Sequence, residues 1–190
     1  MGYDIPADHH GPLPTENPST ARHSSGLRTA TRALKVYVAS SWRNTFQPDV
    51  VKSLRADGHE VYDFKDSEGF HWTEVDGGWQ DWPSDIPKYL RGLQHPCAER
   101  GFNRDMNALR ECDICVYVMP CGVSASLEAG WACGAGKRVF VYVPGLREAD
   151  LMVKMAELVT DDLDLIRTMI LESLPVIETN CGNAADREGR

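Results

Sequence analysis

The chain has 190 residues, with 20 Lys and Arg against 28 Asp and Glu, so its formal charge is −8 at pH 7. This length predicts one domain of ordinary size, and the acidic balance argues against binding to nucleic acid or to an anionic membrane, although a local phosphate pocket stays open. No apolar run approaches the roughly 20 residues that cross a bilayer, so no membrane association is expected.

Both ends of the chain differ in composition from its middle. Residues 1–33 are rich in Pro, Gly, Ser and Thr, and residues 178–190 are acidic and polar. Such segments bury too little apolar surface to offset the entropy of ordering, so we predict a disordered N-terminal tail, a domain over 34–177 and a flexible C-terminal tail. The first residues lack the basic-then-apolar pattern of a secretory signal, which favours a cytoplasmic protein over one with an Arg-bearing targeting leader.

From residue 34 onward, apolar runs of strand length alternate with segments of helical period. The central runs are rich in Val, Tyr and Ile without strict alternation, which is typical of parallel strands that helices cover on both faces. The pattern predicts an α/β domain with a doubly wound, five-stranded parallel sheet in a flavodoxin-like order, whose ligands bind beyond the carboxyl ends of the strands. The predicted strands are 35–39, 59–63, 114–119, 138–143 and 157–160, and the predicted helical segments are 47–57, 98–111, 124–135, 150–154 and 161–174.

A long segment separates the second predicted strand from the helix at 98, and it contains Trp72, Trp79 and Trp82. Connections of this length are often lids or binding loops. Two interpretations of this Trp-rich insertion stay open. Either Trp72 and Trp79 contact the ligand, or the tryptophans form a small hydrophobic cluster that fastens the insertion to the domain.

Several short motifs are better explained by structure than by chemistry. The Gly-Ala-Gly-Lys segment at 134–137 lacks the first Gly and the final Ser or Thr of a phosphate loop and precedes a strand, so we interpret it as a helix C-cap. No Gly-x-Gly-x-x-Gly follows the first strand, so a dinucleotide fingerprint is absent. Cys112 and Cys115 have the spacing of metal and redox sites, but Cys115 lies inside a predicted strand, which favours buried packing. We expect no metal and no cofactor.

The loop after the third predicted strand has the composition of a ligand pocket. Gly122, Ser124 and Ser126 are small enough for a ligand to approach backbone N–H groups at the start of a helix, and Glu128 follows them. We expect the positive helix end to keep Glu128 ionised, which suits a nucleophile or a stabiliser of a cationic sugar transition state. The alternative is a first-turn acid that only stabilises its helix.

The loop after the first predicted strand contains Ser40, Ser41 and Arg43, which are candidates for holding a sugar hydroxyl or a phosphate. The alternative for Arg43 is a solvated loop position. Asp105 reaches the same edge of the sheet if its helix begins at Asn103, and it is otherwise a surface acid.

Several stretches of the chain match the pattern of one known family. They are Phe102-Asn103-Arg104-Asp105, Asp113, the strand at 114–119, the small-residue loop, Leu127-Glu128-Ala129-Gly130-Trp131-Ala132 and Gly136-Lys137-Arg138. In this order they resemble the nucleoside 2-deoxyribosyltransferases and the related nucleotide N-glycosidases, over roughly residues 34–145. The resemblance implies a flavodoxin-like enzyme that cleaves the N-glycosidic bond. It implies that Glu128 attacks the anomeric carbon to form a glycosyl-enzyme, that Asp105 binds and protonates the base, and that Tyr37 borders the pocket.

Two positions refine that expectation. Transferases of the family often have Asp six residues before the nucleophile, and this chain has Gly122 at that position. In contrast, Ser41-x-Arg43 is similar to the loop by which the nucleotide N-glycosidases hold a 5'-phosphate. The resemblance therefore favours a small-molecule nucleotide somewhat over a free nucleoside, with water or a second base as acceptor, and it implies a homodimer or larger homo-oligomer. Two alternatives stay open: a non-catalytic nucleotide-binding or sensing module, and a glycohydrolase of NAD-type dinucleotides.

Overall fold

Five parallel strands form one sheet in the computed structural model, which describes residues 33–66 and 69–173. The spatial order of the strands is β2-β1-β3-β4-β5, and every neighbouring pair is parallel. The predicted doubly wound sheet is thereby confirmed. The strands are β1 (Lys35–Ala39), β2 (Glu60–Tyr62), β3 (Ile114–Val118), β4 (Arg138–Tyr142) and β5 (Leu158–Thr160).

Helices cover both faces of this sheet. The α-helices are α1 (Gln47–Ala56), α2 (Ile86–Leu93), α3 (Pro96–Glu111), α4 (Val123–Gly134) and α5 (Leu163–Glu172). The predicted helical segment at 150–154 is instead a short 3-10 helix, Met152–Met155. Helix α2 lies inside the Trp-rich insertion and is absent from the sequence-based prediction.

The alternation of side chains along the strands divides the core into two clusters. Val36 and Val38 of β1 face a cluster that includes Leu54 of α1 and Ile166 of α5. The intervening Tyr37 faces the other cluster, which includes residues of α3 and α4. Tyr37 is therefore directed to the same side of the sheet as the predicted site helices.

The segment at 134–137 has the structural role that the sequence predicts. Gly136 adopts a φ of +72° just after α4, a conformation that glycine adopts without steric cost. The Lys137 ammonium donates hydrogen bonds of 2.7 Å to the carbonyl oxygens of Arg110 and Cys112, and so satisfies acceptors at the end of α3. Lys137 thus joins two helix ends.

The Trp-rich insertion has an aromatic cluster of its own. The Trp72 ring contacts those of Phe70, Trp82 and Tyr89 at centroid distances of 4.9, 5.2 and 6.3 Å. Trp82 is buried against Gly92 of α2, where an added Cβ would meet the Trp82 ring at 2.4 Å. These contacts fit the second interpretation of the insertion, in which the tryptophans form a small hydrophobic cluster.

Further predictions concern the cysteines, membrane-spanning helices, metal sites and the two tails of the chain. Cys112 and Cys115 are buried in the α3/α4 cluster, as predicted. Across residues 33–66 and 69–173, no helix is long and apolar enough to cross a membrane, and no group of three or more His, Cys, Asp or Glu is arranged to hold a metal ion. The predicted tails, 1–33 and 178–190, lie outside the described residues apart from residue 33.

Candidate active site

Four side chains from four elements meet beside the sheet on its α3/α4 side. Tyr37 comes from β1 and Tyr62 from β2, while Asp105 comes from α3 and Glu128 from α4. The two tyrosines are cross-strand partners, and their rings stack with centroids 5.1 Å apart and an interplanar angle of 14°. The carboxyl groups of Asp105 and Glu128 repel each other electrostatically. The structure therefore brings together the two predicted catalytic carboxyls and the predicted Tyr37.

Glu128 is a half-buried acid, and the expectation that the helix end keeps it ionised is wrong. Helix α4 begins at Val123, so Glu128 lies in the second turn and beyond the strongest part of the helix dipole. Burial and the negative charge of Asp105 raise the pKa of Glu128 to about 7, although the Tyr37 hydroxyl opposes this by hydrogen bonding to the carboxylate. Desolvation and like charge thus outweigh the dipole.

Asp105 lies in the middle of its helix, so the condition that the helix begin at Asn103 is not met. Helix α3 begins at Pro96, and the His95 side chain caps it by accepting a 3.2 Å hydrogen bond from the Cys97 N–H. The Tyr62 hydroxyl donates a 2.5 Å hydrogen bond to Asp105 Oδ1. Burial raises the pKa of Asp105, while Tyr62 and the charge of Arg104 oppose the rise. Asp105 is therefore half-buried and hydrogen-bonded, and the surface-acid alternative does not describe it.

Two half-buried carboxyls that repel each other titrate together. Ionising one of them raises the free-energy cost of ionising the other, so the pair favours one proton over none or two near neutral pH. Such a pair can supply an ionised nucleophile and a protonated acid from the same site.

A cavity of about 220 Å³ lies at the carboxyl ends of β1 and β3, where ligands bind in sheets of this type. It is lined by the predicted Ser41, Arg43 and Gly122, and also by Arg147 from the loop after β4. Neither guanidinium forms an ion pair with a residue that the structure describes. The lining residue Cys121 lies within electrostatic range of Glu128, but neither Glu128 nor Asp105 lines the cavity itself.

Asn44 joins the two loops that form this cavity. Its Nδ2 donates to the carbonyl oxygens of Val118 and Pro120, at 3.1 and 3.0 Å, and its Oδ1 accepts from the N–H groups of Phe46 and Gln47, at 2.7 and 3.0 Å. The predicted Ser40 is buried beside it and also donates to the Val118 carbonyl, at 2.9 Å. Ser40 and Asn44 therefore hold the β1 loop against β3.

We expect Asn44→Ala to lower the free energy of unfolding by about 2–3 kcal/mol, because it leaves buried backbone groups without hydrogen-bond partners. Urea denaturation measures the change. Asn107→Ala is the matched control, since Asn107 is exposed on α3 and accepts only from Arg110. Equal stability of both variants would contradict this role of Asn44.

The remaining predicted residues lie outside the cavity. Ser124 is exposed on α4, and Trp79 lies in a 3-10 helix of the insertion. Ser126 makes a 2.8 Å hydrogen bond with the Tyr117 hydroxyl and lines a second, mostly apolar cavity of about 80 Å³. Trp72 belongs to the aromatic cluster of the insertion. The structure does not bring these four side chains to the carboxyl pair.

Three residues of the site are missing from the sequence-based prediction. Tyr62 ends β2, so the rule that ligands bind beyond strand ends already indicated its position. Arg147 follows β4, and the same rule applies to the carboxyl end of that strand. Asn44 carries no such signal, because its importance lies in contacts with residues more than 70 positions away.

The chain matches no family model and no curated protein. Among solved structures it is similar to a 2-deoxyribosyltransferase from the psychrotolerant bacterium Bacillus psychrosaccharolyticus, with a TM-score of 0.51. The sequences are 19% identical, and the similarity covers 74% of this chain and 96% of that chain. At this identity the similarity shows the fold, and it supports the flavodoxin-like α/β class.

Proposed function

We propose that this chain is an enzyme that cleaves or transfers at the N-glycosidic bond of a nucleoside, deoxynucleoside or 5'-nucleotide, through a glycosyl-enzyme on Glu128. The observation that carries the proposal is the pair of half-buried, mutually repelling carboxyls, Glu128 and Asp105, on the α3/α4 side of the sheet. The resemblance of the sequence motifs and the fold shared with a 2-deoxyribosyltransferase support it. That relative is described as a biocatalyst for the synthesis of nucleosides.

In the first step the Glu128 carboxylate attacks the anomeric carbon. A C–O bond forms to Glu128 as the C–N bond to the base breaks, and the electron pair of that bond goes to the base nitrogen. Protonated Asp105 transfers its proton to the base, which leaves neutral. The developing positive charge on the sugar stabilises the ionised form of Glu128 and so moves the shared proton toward Asp105.

In the second step an acceptor attacks the anomeric carbon and releases Glu128. Water as acceptor leaves a hydroxyl on the sugar and gives hydrolysis, whereas a second base forms a new C–N bond and gives transfer. In both cases the Asp105 carboxylate takes the proton that the acceptor loses, so the carboxyl pair returns to its starting state.

The cavity at the carboxyl ends of β1 and β3 favours a 5'-nucleotide as substrate. Arg43 and Arg147 bring two positive charges to it, and guanidinium groups bind phosphate through paired hydrogen bonds. The Ser41 hydroxyl already accepts a 3.2 Å hydrogen bond from the Arg43 N–H, which orders the loop. In a chain of formal charge −8, two guanidiniums that have no ion-pair partner among the described residues form a local anion site.

We expect Arg147→Ala to raise the KM for a 5'-nucleotide roughly tenfold to a hundredfold, because it removes a charged hydrogen bond to phosphate. The KM for the corresponding free nucleoside should stay unchanged. Steady-state kinetics on both substrates measure the difference, and Arg91→Ala, on the exposed side of α2, is the control. An equal loss for nucleotide and nucleoside would assign Arg147 to another role.

The experiment that tests the proposed function is a chromatographic screen for free base. The purified chain is incubated with each common nucleoside, 5'-nucleotide and NAD, with and without a second base. Release that needs the second base identifies a transferase, and release from NAD identifies a dinucleotide glycohydrolase. Binding of a nucleotide without release of base from any substrate would overturn the proposal in favour of a sensing module.

Two further expectations stay predictions. A homodimer or larger homo-oligomer is implied by the family resemblance, and light scattering on the purified chain measures it. A cytoplasmic location is the other, and imaging of the tagged chain in cells measures it.

A further inference from the structure

The carboxyl pair lies against a second pair, the stacked side chains of Tyr37 and Tyr62. Each tyrosine acts on a different acid. Tyr37 lowers the pKa of the Glu128 carboxyl, and the Tyr62 hydroxyl donates to Asp105 Oδ1 at 2.5 Å. Because Tyr37 and Tyr62 are register partners on adjacent strands, the sheet sets the spacing of the two hydroxyls.

We propose that Tyr62 is a positioning residue for Asp105. The Tyr62 hydroxyl occupies Oδ1 of Asp105 and thereby leaves Oδ2 as the oxygen that carries and delivers the proton. This inference rests on the proposed function, because only a proton-transferring Asp105 needs a defined oxygen.

The direction of the Tyr62–Asp105 hydrogen bond follows from the surroundings of Tyr62. Burial and the charge of Asp105 raise the pKa of the Tyr62 hydroxyl well above its usual range, so the phenol keeps its proton. While the Tyr62 hydroxyl donates to it, Oδ1 is occupied as an acceptor. The proton that Asp105 exchanges with substrate is then carried by Oδ2.

Charged and titratable groups surround Asp105 on several sides. Arg104 of α3 lies with its guanidinium carbon 5.5 Å from the Tyr62 ring centroid and forms a 2.7 Å ion pair with Asp66. Glu128 faces Asp105 from α4, and Tyr37 faces it from β1. Among these groups only Tyr62 donates a hydrogen bond to the Asp105 carboxyl within the described part of the chain. The position of Oδ2 therefore depends on Tyr62.

Tyr62→Phe tests this role, because it keeps the ring that stacks on Tyr37 and removes only the hydroxyl. We expect kcat for base release to fall roughly tenfold to a hundredfold while KM changes less than about twofold. The pKa of Asp105 should rise, because the lost hydrogen bond favoured the ionised carboxylate. Tyr142→Phe, on β4, is the matched control, and it should leave kcat, KM and the pKa of Asp105 unchanged.

The Asp105 titration is measured independently of activity. The carboxyl carbon of Asp105 is followed by NMR on chain labelled with ¹³C-aspartate, and its resonance is identified by its absence from Asp105→Asn. An unchanged Asp105 titration in Tyr62→Phe would overturn the inference even where base release is established. Suppose instead that the Asp105 pKa is raised in Tyr62→Phe but that the chain releases no base. The Tyr62–Asp105 contact would then be supported, and the proposed function would be overturned.

Discussion

Glu128→Gln is expected to lower kcat for base release by about 10⁴-fold or more and to leave the dissociation constant for the ligand within about threefold. The amide keeps the size of the side chain but has no anionic oxygen to attack the anomeric carbon. Removing a nucleophile therefore affects the transition state and leaves ground-state binding intact. Rapid-quench measurement of base release and calorimetric titration with a non-cleavable nucleotide analogue measure the two quantities.

Folding stability distinguishes lost chemistry from lost structure in this variant. An acid whose pKa rises from 4.5 in the unfolded chain to about 7 in the folded chain binds more protons when folded, so it destabilises the fold as the pH rises through that range. Glu128→Gln removes this effect. We expect the variant to be more stable than the parent at pH 8, by on the order of 3 kcal/mol, and the difference to disappear below about pH 4.5.

Glu172→Gln is the matched control for Glu128→Gln, since Glu172 is exposed at the end of α5 on the other side of the sheet. It should change neither base release nor the pH dependence of stability. Retention of base release by Glu128→Gln would rule out a glycosyl-enzyme at this position.

Asp105→Asn is expected to lower kcat by about 10²–10⁴-fold, because the base then leaves without a proton donor. The substitution has a second consequence for Glu128. It removes a like charge that raises the pKa of Glu128, so that pKa should fall below about 7. In the parent chain the carboxyl pair must keep one proton for the base, so kcat/KM should fall as the pH rises through about 7 and Glu128 loses that proton. In the variant only the ionisation of Glu128 matters, so kcat/KM should rise with pH at the lowered pKa of Glu128 and then stay level.

A pH–rate profile of kcat/KM from pH 4 to 9 measures this shift, with Asp161→Asn, on an exposed residue after β5, as the control. Substrates whose base leaves readily without protonation should be cleaved almost normally by Asp105→Asn. A uniform loss for good and poor leaving groups, together with an unshifted profile, would show that Asp105 does not act as the acid.

The helices show where local patterns suffice to predict structure. Helix α5 begins after Asp162, whose side chain accepts from the N–H groups of Asp164 and Leu165, as its acidic start predicts. Helix α3 begins earlier than predicted, because its cap is His95, a residue type that is uncommon at helix starts. Helix α2 begins with a usual signal, the Asp85 side chain that accepts from the Lys88 N–H, but its Trp-rich surroundings favoured a loop interpretation.

Hydrophobic period and strand–helix alternation are local properties, so they predicted the parallel sheet and its flavodoxin-like order. The pKa of Glu128, the half-buried position of Asp105 and the hydrogen bond from Tyr62, 43 residues away in the chain, emerge only when the chain is folded. A pKa depends on burial and on every charge nearby in space. Those neighbours come from separate strands and helices, so no local stretch of sequence contains them.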